Sequence, residues 1–226
     1  WPIWFLYFSV SIFIMFFLLY VIPRSKVYLI VKPMCWTWCL LGGQWLIRKG
    51  DLPDPENQPY IYMFNHASMF DQFMIGAYVS HYLTAVAAIE VFNYPFFGII
   101  LKKYGIIPII RKNIKKALNS LIIAENAIKI GTSILIAPEG TRTISGDLGK
   151  FKKGPFHLAK NSRATIIPIG LIGAYRAKNK KSWRLTPGRL YVKIGDPISF
   201  NSFKNMSVEE LRDYTREKIE MLINKG

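Results

Sequence analysis

The chain has 226 residues, 51% of them hydrophobic and 19% charged, which gives enough apolar surface for a substantial core and excludes general disorder. Thirty Lys and Arg against 14 Asp and Glu leave a formal net charge of +16, a field that attracts phosphates without choosing among nucleic acid, anionic lipid and a phosphorylated substrate. The cysteines, Cys35 and Cys39, stand four apart in an apolar stretch; they exclude a disulfide framework and a cysteine-based zinc site, and read as packing residues in a reducing compartment.

Trp1 to Ile22 carries no charge and is long enough, at about 1.5 Å per residue, for a helix to cross the hydrocarbon core of a bilayer. It lacks the basic start and small-residue cleavage site of a signal peptide. After Arg24 and Lys26 comes a second apolar stretch, Val27 to Leu41, interrupted by Lys32 and Pro33 and short for a full span. Trp36, Trp38 and Trp45 are of the type that favours a membrane interface. Residues 1–41 are therefore expected to form a membrane-embedded helical pair. It is either one span with an interfacial helix or a hairpin within one leaflet, and the short, amphipathic second segment favours the hairpin. The basic remainder places the bulk of the protein on the cytoplasmic face of the cell membrane.

Residues 42–226 have the composition of a globular domain. Asp51 to Pro59 is rich in Pro and Asp and reads as a surface loop. Short apolar runs at Tyr60 to Phe64, Thr84 to Ala88, Ile106 to Ile110, Ser133 to Ala137, Ala164 to Leu171 and Arg189 to Ile194 predict strands. Between them, Ser68 to Ser80, Asn93 to Tyr104, Asn113 to Ile130 and Phe151 to Ser162 predict helices. Ser207-Val-Glu-Glu210 caps a final helix that runs through Leu222. This alternation predicts an α/β domain with a mainly parallel central sheet flanked by helices, its ligands at the carboxyl ends of the strands. The basic run Arg176, Lys178, Lys180, Lys181, Arg184 and Arg189 is a solvated loop, or else a surface for an anionic membrane or a nucleotide-bearing donor.

Two constellations follow strand runs directly. Asn65-His66-Ala67-Ser68-Met69-Phe70-Asp71 places His66 where a strand ends and a helix begins. On a continuous helix, positions five apart lie roughly 140° from each other. Across a strand–helix junction, the Asp71 carboxylate can reach back to the imidazole and orient it as a general base. Ser68 and Asp71 also have the spacing of a capping box, which leaves His66 as an ordinary loop residue. In Ala137-Pro138-Glu139-Gly140-Thr141-Arg142, Gly140 permits a tight turn and Arg142 offers a planar fork of donors suited to phosphate. Glu139 either fixes this loop or meets substrate hydroxyls. Lys152 and Lys153 stand beside a helix start, a place suited to anions. His81 and His157 are isolated, and no metal site is expected.

His66-x-x-x-x-Asp71 followed by Glu139-Gly140-Thr141-Arg142 resembles the glycerolipid acyltransferase family, most closely its bacterial-type 1-acyl-sn-glycerol-3-phosphate acyltransferases. Between these blocks lies Glu90-Val-Phe-Asn-Tyr-Pro-Phe-Phe-Gly98 with Gly105 to Arg111, and after them Ile167-Pro168-Ile169, all in the family's order. The resemblance covers about Gly42 to Ile198. It implies direct transfer of an acyl chain from acyl-CoA or acyl-carrier protein to the sn-2 hydroxyl of lysophosphatidic acid. His66 is then the base and Asp71 its orienting partner. Arg111, Glu139, Gly140, Thr141, Arg142 and Lys152 bind the acceptor and its phosphate. The donor is a co-substrate, and no cofactor or nucleic acid is implied. Glycerol 3-phosphate, another lysophospholipid or a lyso-ornithine lipid are the competing acceptors, and a catalytically weakened lipid-binding relative is the competing class. Ala88 departs from the family, which often carries lysine there; without it this chain relies on Arg111, Arg142 and Lys152.

Overall fold

The computed structural model describes residues 1–111 and 113–224. Two helices lead, α1 (Pro2–Val21) and α2 (Arg24–Leu41). Then come β1 (Gln44–Lys49), β2 (Tyr60–Phe64), α3 (Asp71–Gly76), β3 (Leu83–Ala88), α4 (Phe97–Tyr104), β4 (Ile107–Ile109), α5 (Ile114–Lys129) and β5 (Ser133–Ile136). The chain closes with α6 (Gly154–Ser162), β6 (Thr165–Ile172), α7 (Ala174–Ala177), β7 (Gly188–Ile194), α8 (Phe200–Phe203) and α9 (Val208–Asn224). Among the described residues seven strands make one sheet, in the order β1-β7-β6-β2-β5-β3-β4. Every pairing is parallel except β6 with β7, so β1 and β7 run against the other strands. The fold is α/β with a mainly parallel sheet, as the alternating pattern predicts.

Successive strand side chains point to opposite faces, and a parallel strand covered on both faces is apolar throughout. The central strand β2 is buried at every position. Tyr60, Tyr62 and Phe64 join one core with Trp38, Phe70 and Met74; Ile61 and Met63 join another with Ala124 and Ile128 of α5, Phe156 of α6 and Leu211 of α9. The leading helices belong to the first core. The Trp4 Nε1–H donates to the carbonyl of Trp38 at 2.8 Å, and Val27 and Cys39 are fully buried. Both cysteines are free and packed inside. The outer face of α1 is different: Ile3, Leu6, Phe13 and Val21 are all exposed. α1 is long and apolar enough to cross a membrane, whereas α2 is interrupted by Pro33 and begins with Arg24 and Lys26.

Several boundaries differ from expectation. β1 carries an apolar run of only Trp45-Leu46-Ile47 and was not expected; it is an edge strand, with Trp45 exposed and only Gln44 and Leu46 buried. The helix expected from Ser68 begins only at Asp71, because that carboxylate holds the preceding residues in a loop. The helix expected from Asn93 begins only at Phe97, as α4; a short 3-10 turn, Ile89–Asn93, precedes it, and Pro95 and Phe96, with its positive φ of 59°, separate the two. The helix expected from Phe151 starts at Gly154.

Candidate active site

β2, β5 and β6 are parallel neighbours, so their carboxyl ends lie at one edge of the sheet. The loops after them converge there. Asn65 closes the β2–β6 seam: its amide Nδ2 donates to the carbonyl of Leu171 at 2.9 Å, and its Oδ1 accepts the Leu171 N–H at 2.7 Å. The side chain thus acts as one more rung of backbone and fixes the point from which His66 leaves the strand.

His66 Nδ1 lies 2.7 Å from Asp71 Oδ2. The same oxygen accepts the N–H groups of Ala67 at 2.8 Å and Ser68 at 2.9 Å. A carboxyl group with no exposure must find its hydrogen-bond partners inside the fold, and these donors gather on Oδ2. The helix-cap and general-base readings of this motif are therefore not rivals. One oxygen ends the loop and orients the imidazole. With Nδ1–H donated to Asp71, Nε2 carries the lone pair, and the His66 side chain keeps 24% of its exposure. The amides of Ala67 and Ser68, at the start of the helical region, are engaged by Asp71 and are not donors for a substrate oxygen. Ser68 Oγ donates to the carbonyl of Lys178 at 2.7 Å, tying the basic 178–184 loop to the His66 loop.

The Glu139–Arg142 turn packs against this loop. Glu139 Oε1 accepts the His66 N–H at 2.6 Å and Oε2 accepts the Gly149 N–H at 2.8 Å. Burial pushes the Glu139 carboxyl above its ordinary pKa, and these two hydrogen bonds oppose that rise. The Thr143 N–H donates to the carbonyl of His66 at 2.8 Å. Gly140 turns with φ +71° and its carbonyl accepts from Arg111 Nη1. Arg111 Nη2 also lies 4.0 Å from Glu90 Oε2 across two exposed side chains. Lys152 reaches the same turn, its N–H bonded to the carbonyl of Pro138 at 2.8 Å. Thr141 is exposed beside them. Arg142 has no carboxylate partner among the described residues. Lys178 feels it: burial first, then the positive charge of Arg142, lower the pKa of that lysine.

The predicted residues thus come together, with cations gathered around a histidine–carboxylate pair. Of the two roles open to Glu139, its side chain is engaged in the loop-fixing one, facing backbone amides, and Lys153 pairs with Glu209. Ala88 ends β3 opposite Ile109, two residues before Arg111, so a lysine there would enlarge the same cationic patch. Asn65 and Ser68 stood in the first motif, beside His66, and their polar side chains were the available signal. Gly149 and Thr143 carried no local one, and the basic run that contains Lys178 did not reveal its carbonyl's bond to Ser68; these contacts are distant in sequence.

The sequence profile of the Acyltransferase family matches residues 47–172, more than half of the chain. The chain belongs to this family. The span runs from β1 to the end of β6 and includes His66, Asp71 and the Glu139–Arg142 turn. Among relatives of this acyltransferase-family chain, the 1-acyl-sn-glycerol-3-phosphate acyltransferase of Cocos nucifera is 34% identical over 179 residues, 75% of this chain and 58% of that protein. The chain therefore spans less than two thirds of that relative's length. The probable 1-acyl-sn-glycerol-3-phosphate acyltransferase of Mycoplasma genitalium is 31% identical over 86% of this chain and 78% of its own. In three dimensions, the 1-acyl-sn-glycerophosphate acyltransferase PlsC of Thermotoga maritima superposes with a TM-score of 0.81, covering 96% of this chain and 90% of the other at 23% identity, which shows the fold.

Proposed function

We propose that the protein transfers a fatty acyl chain from acyl-CoA or acyl-carrier protein to the sn-2 hydroxyl of lysophosphatidic acid, giving phosphatidic acid. The observation that carries this reading is the 2.7 Å contact between His66 Nδ1 and the buried Asp71, next to the Arg142 turn. Nε2 takes the proton of the acceptor hydroxyl as its oxygen attacks the thioester carbonyl. The C–S bond breaks, the thiolate leaves, and the imidazolium returns the proton to it. Asp71 stabilises the imidazolium in between; such positioned base catalysis supplies about 10²–10⁴-fold. Arg111, Arg142 and Lys152 receive the acceptor phosphate by charge and planar hydrogen bonding. The transfer calls for no bound cofactor. The names of the Cocos and Mycoplasma relatives support lysophosphatidic acid as acceptor.

The exposed apolar face of α1 supports placement at a phospholipid membrane, where the lysophosphatidic acid acceptor resides, and the net charge of +16 supports the cytoplasmic side for the domain. The test is transfer from radiolabelled acyl-CoA or acyl-carrier protein to lysophosphatidic acid in detergent micelles, beside a His66→Ala control. Labelled phosphatidic acid formed only by the unmodified protein supports the reaction. Product with glycerol 3-phosphate, another lysophospholipid or a lyso-ornithine lipid, and none with lysophosphatidic acid, reassigns the acceptor. No transfer to any of them rejects catalysis in favour of lipid binding.

A further inference from the structure

Family resemblance assigns the Glu-Gly-Thr-Arg turn to the acceptor, yet the Glu139 side chain points at the protein. Its two oxygens take one backbone amide each, from His66 at 2.6 Å and from Gly149 at 2.8 Å, and the residue is only 5% exposed. The His66 peptide is gripped from both directions by this one segment. Glu139 holds its N–H, and the Thr143 N–H holds its carbonyl. Asp71 fixes the imidazole, but a side chain is no better placed than the main chain that carries it.

We infer that Glu139 is a positioning residue that fixes the His66 backbone, and does not bind the acceptor. The inference rests on His66 being the general base. Gly149 is the other half of the clamp. A Cβ at 149 would lie 2.6 Å from Glu139 Oε2 and 3.4 Å from its Cδ, and the other nearest atom also belongs to the Glu139 side chain. The Gly149 backbone is not left-handed, so alanine is conformationally acceptable there, and its methyl group displaces the movable carboxylate. Gly149→Ala therefore disturbs His66 through Glu139 without altering a side chain that could touch substrate.

The experiment compares Glu139→Ala, Gly149→Ala and the double variant. Misplacing a reacting group by an ångström costs about 10²-fold. Both single variants are expected to lose about 10- to 100-fold in kcat, with the KM for lysophosphatidic acid within about twofold. Because the two residues act through one contact, the double variant falls no further than Glu139→Ala alone. A second readout needs no turnover. The chain has 3 histidines, so nitrogen-15 spectra of histidine-labelled protein, assigned with His66→Ala, report the Nδ1–H bonded to Asp71 directly. That signal shifts in both single variants. Glu139→Gln, which keeps one acceptor oxygen, gives an intermediate shift and loss, and it stands in if Glu139→Ala does not fold. A raised acceptor KM at unchanged kcat for the Glu139 variants, with Gly149→Ala behaving as the unmodified protein and the His66 signal unmoved, overturns the inference. If the unmodified protein transfers no acyl group, the base assignment fails, while the spectra still decide whether the clamp exists.

Discussion

Two histidines mark opposite ends of the sheet. His66 follows β2 at the carboxyl edge, partly exposed and 2.7 Å from the Asp71 carboxylate. His81 precedes β3 at the amino edge, 6% exposed, with Nε2 3.0 Å from Ser133 Oγ and 3.4 Å from Tyr62 Oη. Its Nδ1 meets no polar partner among the described residues. Burial lowers the His81 pKa to about 4, so this ring stays neutral. Both rings are hydrogen bonded, and only His66 combines a carboxylate partner with exposure. What separates them is a charged partner able to stabilise an imidazolium and a free nitrogen with access to an acceptor.

The largest expected effect tests that contrast head-on. His66→Ala lowers transfer by about 10²–10⁴-fold with the thermal midpoint retained, whereas His81→Gln leaves the rate within about twofold. A rate above a tenth of normal in His66→Ala breaks the base assignment. Asp71→Ala comes next, because it removes the imidazole's partner and the acceptor for two amides together. It is expected to cost about 10²-fold or more in kcat and, from the lost loop hydrogen bonds, about 1–3 kcal/mol in denaturant stability. Loss of rate without loss of stability would separate the two duties of that oxygen.

The amino edge makes its own prediction in pH. The folded protein holds His81 neutral down to about pH 4, while the unfolded chain protonates it near 6.5. Between these values the unfolded state binds more protons. The stabilisation is thus complete above pH 6.5 and is lost as pH falls toward 4, amounting to roughly 3 kcal/mol. Unfolding midpoints measured across that window should decline for the unmodified protein and flatten for His81→Gln; parallel curves would assign the decline to other groups. Smallest is Arg142→Ala, expected to raise the KM for lysophosphatidic acid about tenfold with little change in kcat, as loss of one charge-assisted contact implies. A raised donor KM would move that arginine to the thioester's side of the site.

The helical and strand pattern of the domain was legible because buried strands such as Tyr60–Phe64 and Ser133–Ile136 are continuous apolar runs. β1 was not, since an edge strand that exposes Trp45 and ends Arg48-Lys49 has no such run. The reversed direction of β7 was equally hidden, because strand direction depends on which partner a strand meets. The His66–Asp71 pair could be read from its place at a strand–helix junction. The role of Glu139 could not, because a carboxylate beside an arginine looks the same whether it faces a substrate or an amide.

By itself the sequence determined the alternation of elements, the apolar lead of α1 and the presence of a histidine, a carboxylate and several arginines in the order of the motifs; periodicity and residue chemistry are local properties. Only the tertiary structure decided that Asn65 bonds the backbone of Leu171, that Ser68 bonds Lys178 and that Glu139 joins His66 to Gly149. A buried polar group must find its partner wherever the folded chain supplies one, and that place is set by packing instead of by neighbours in sequence.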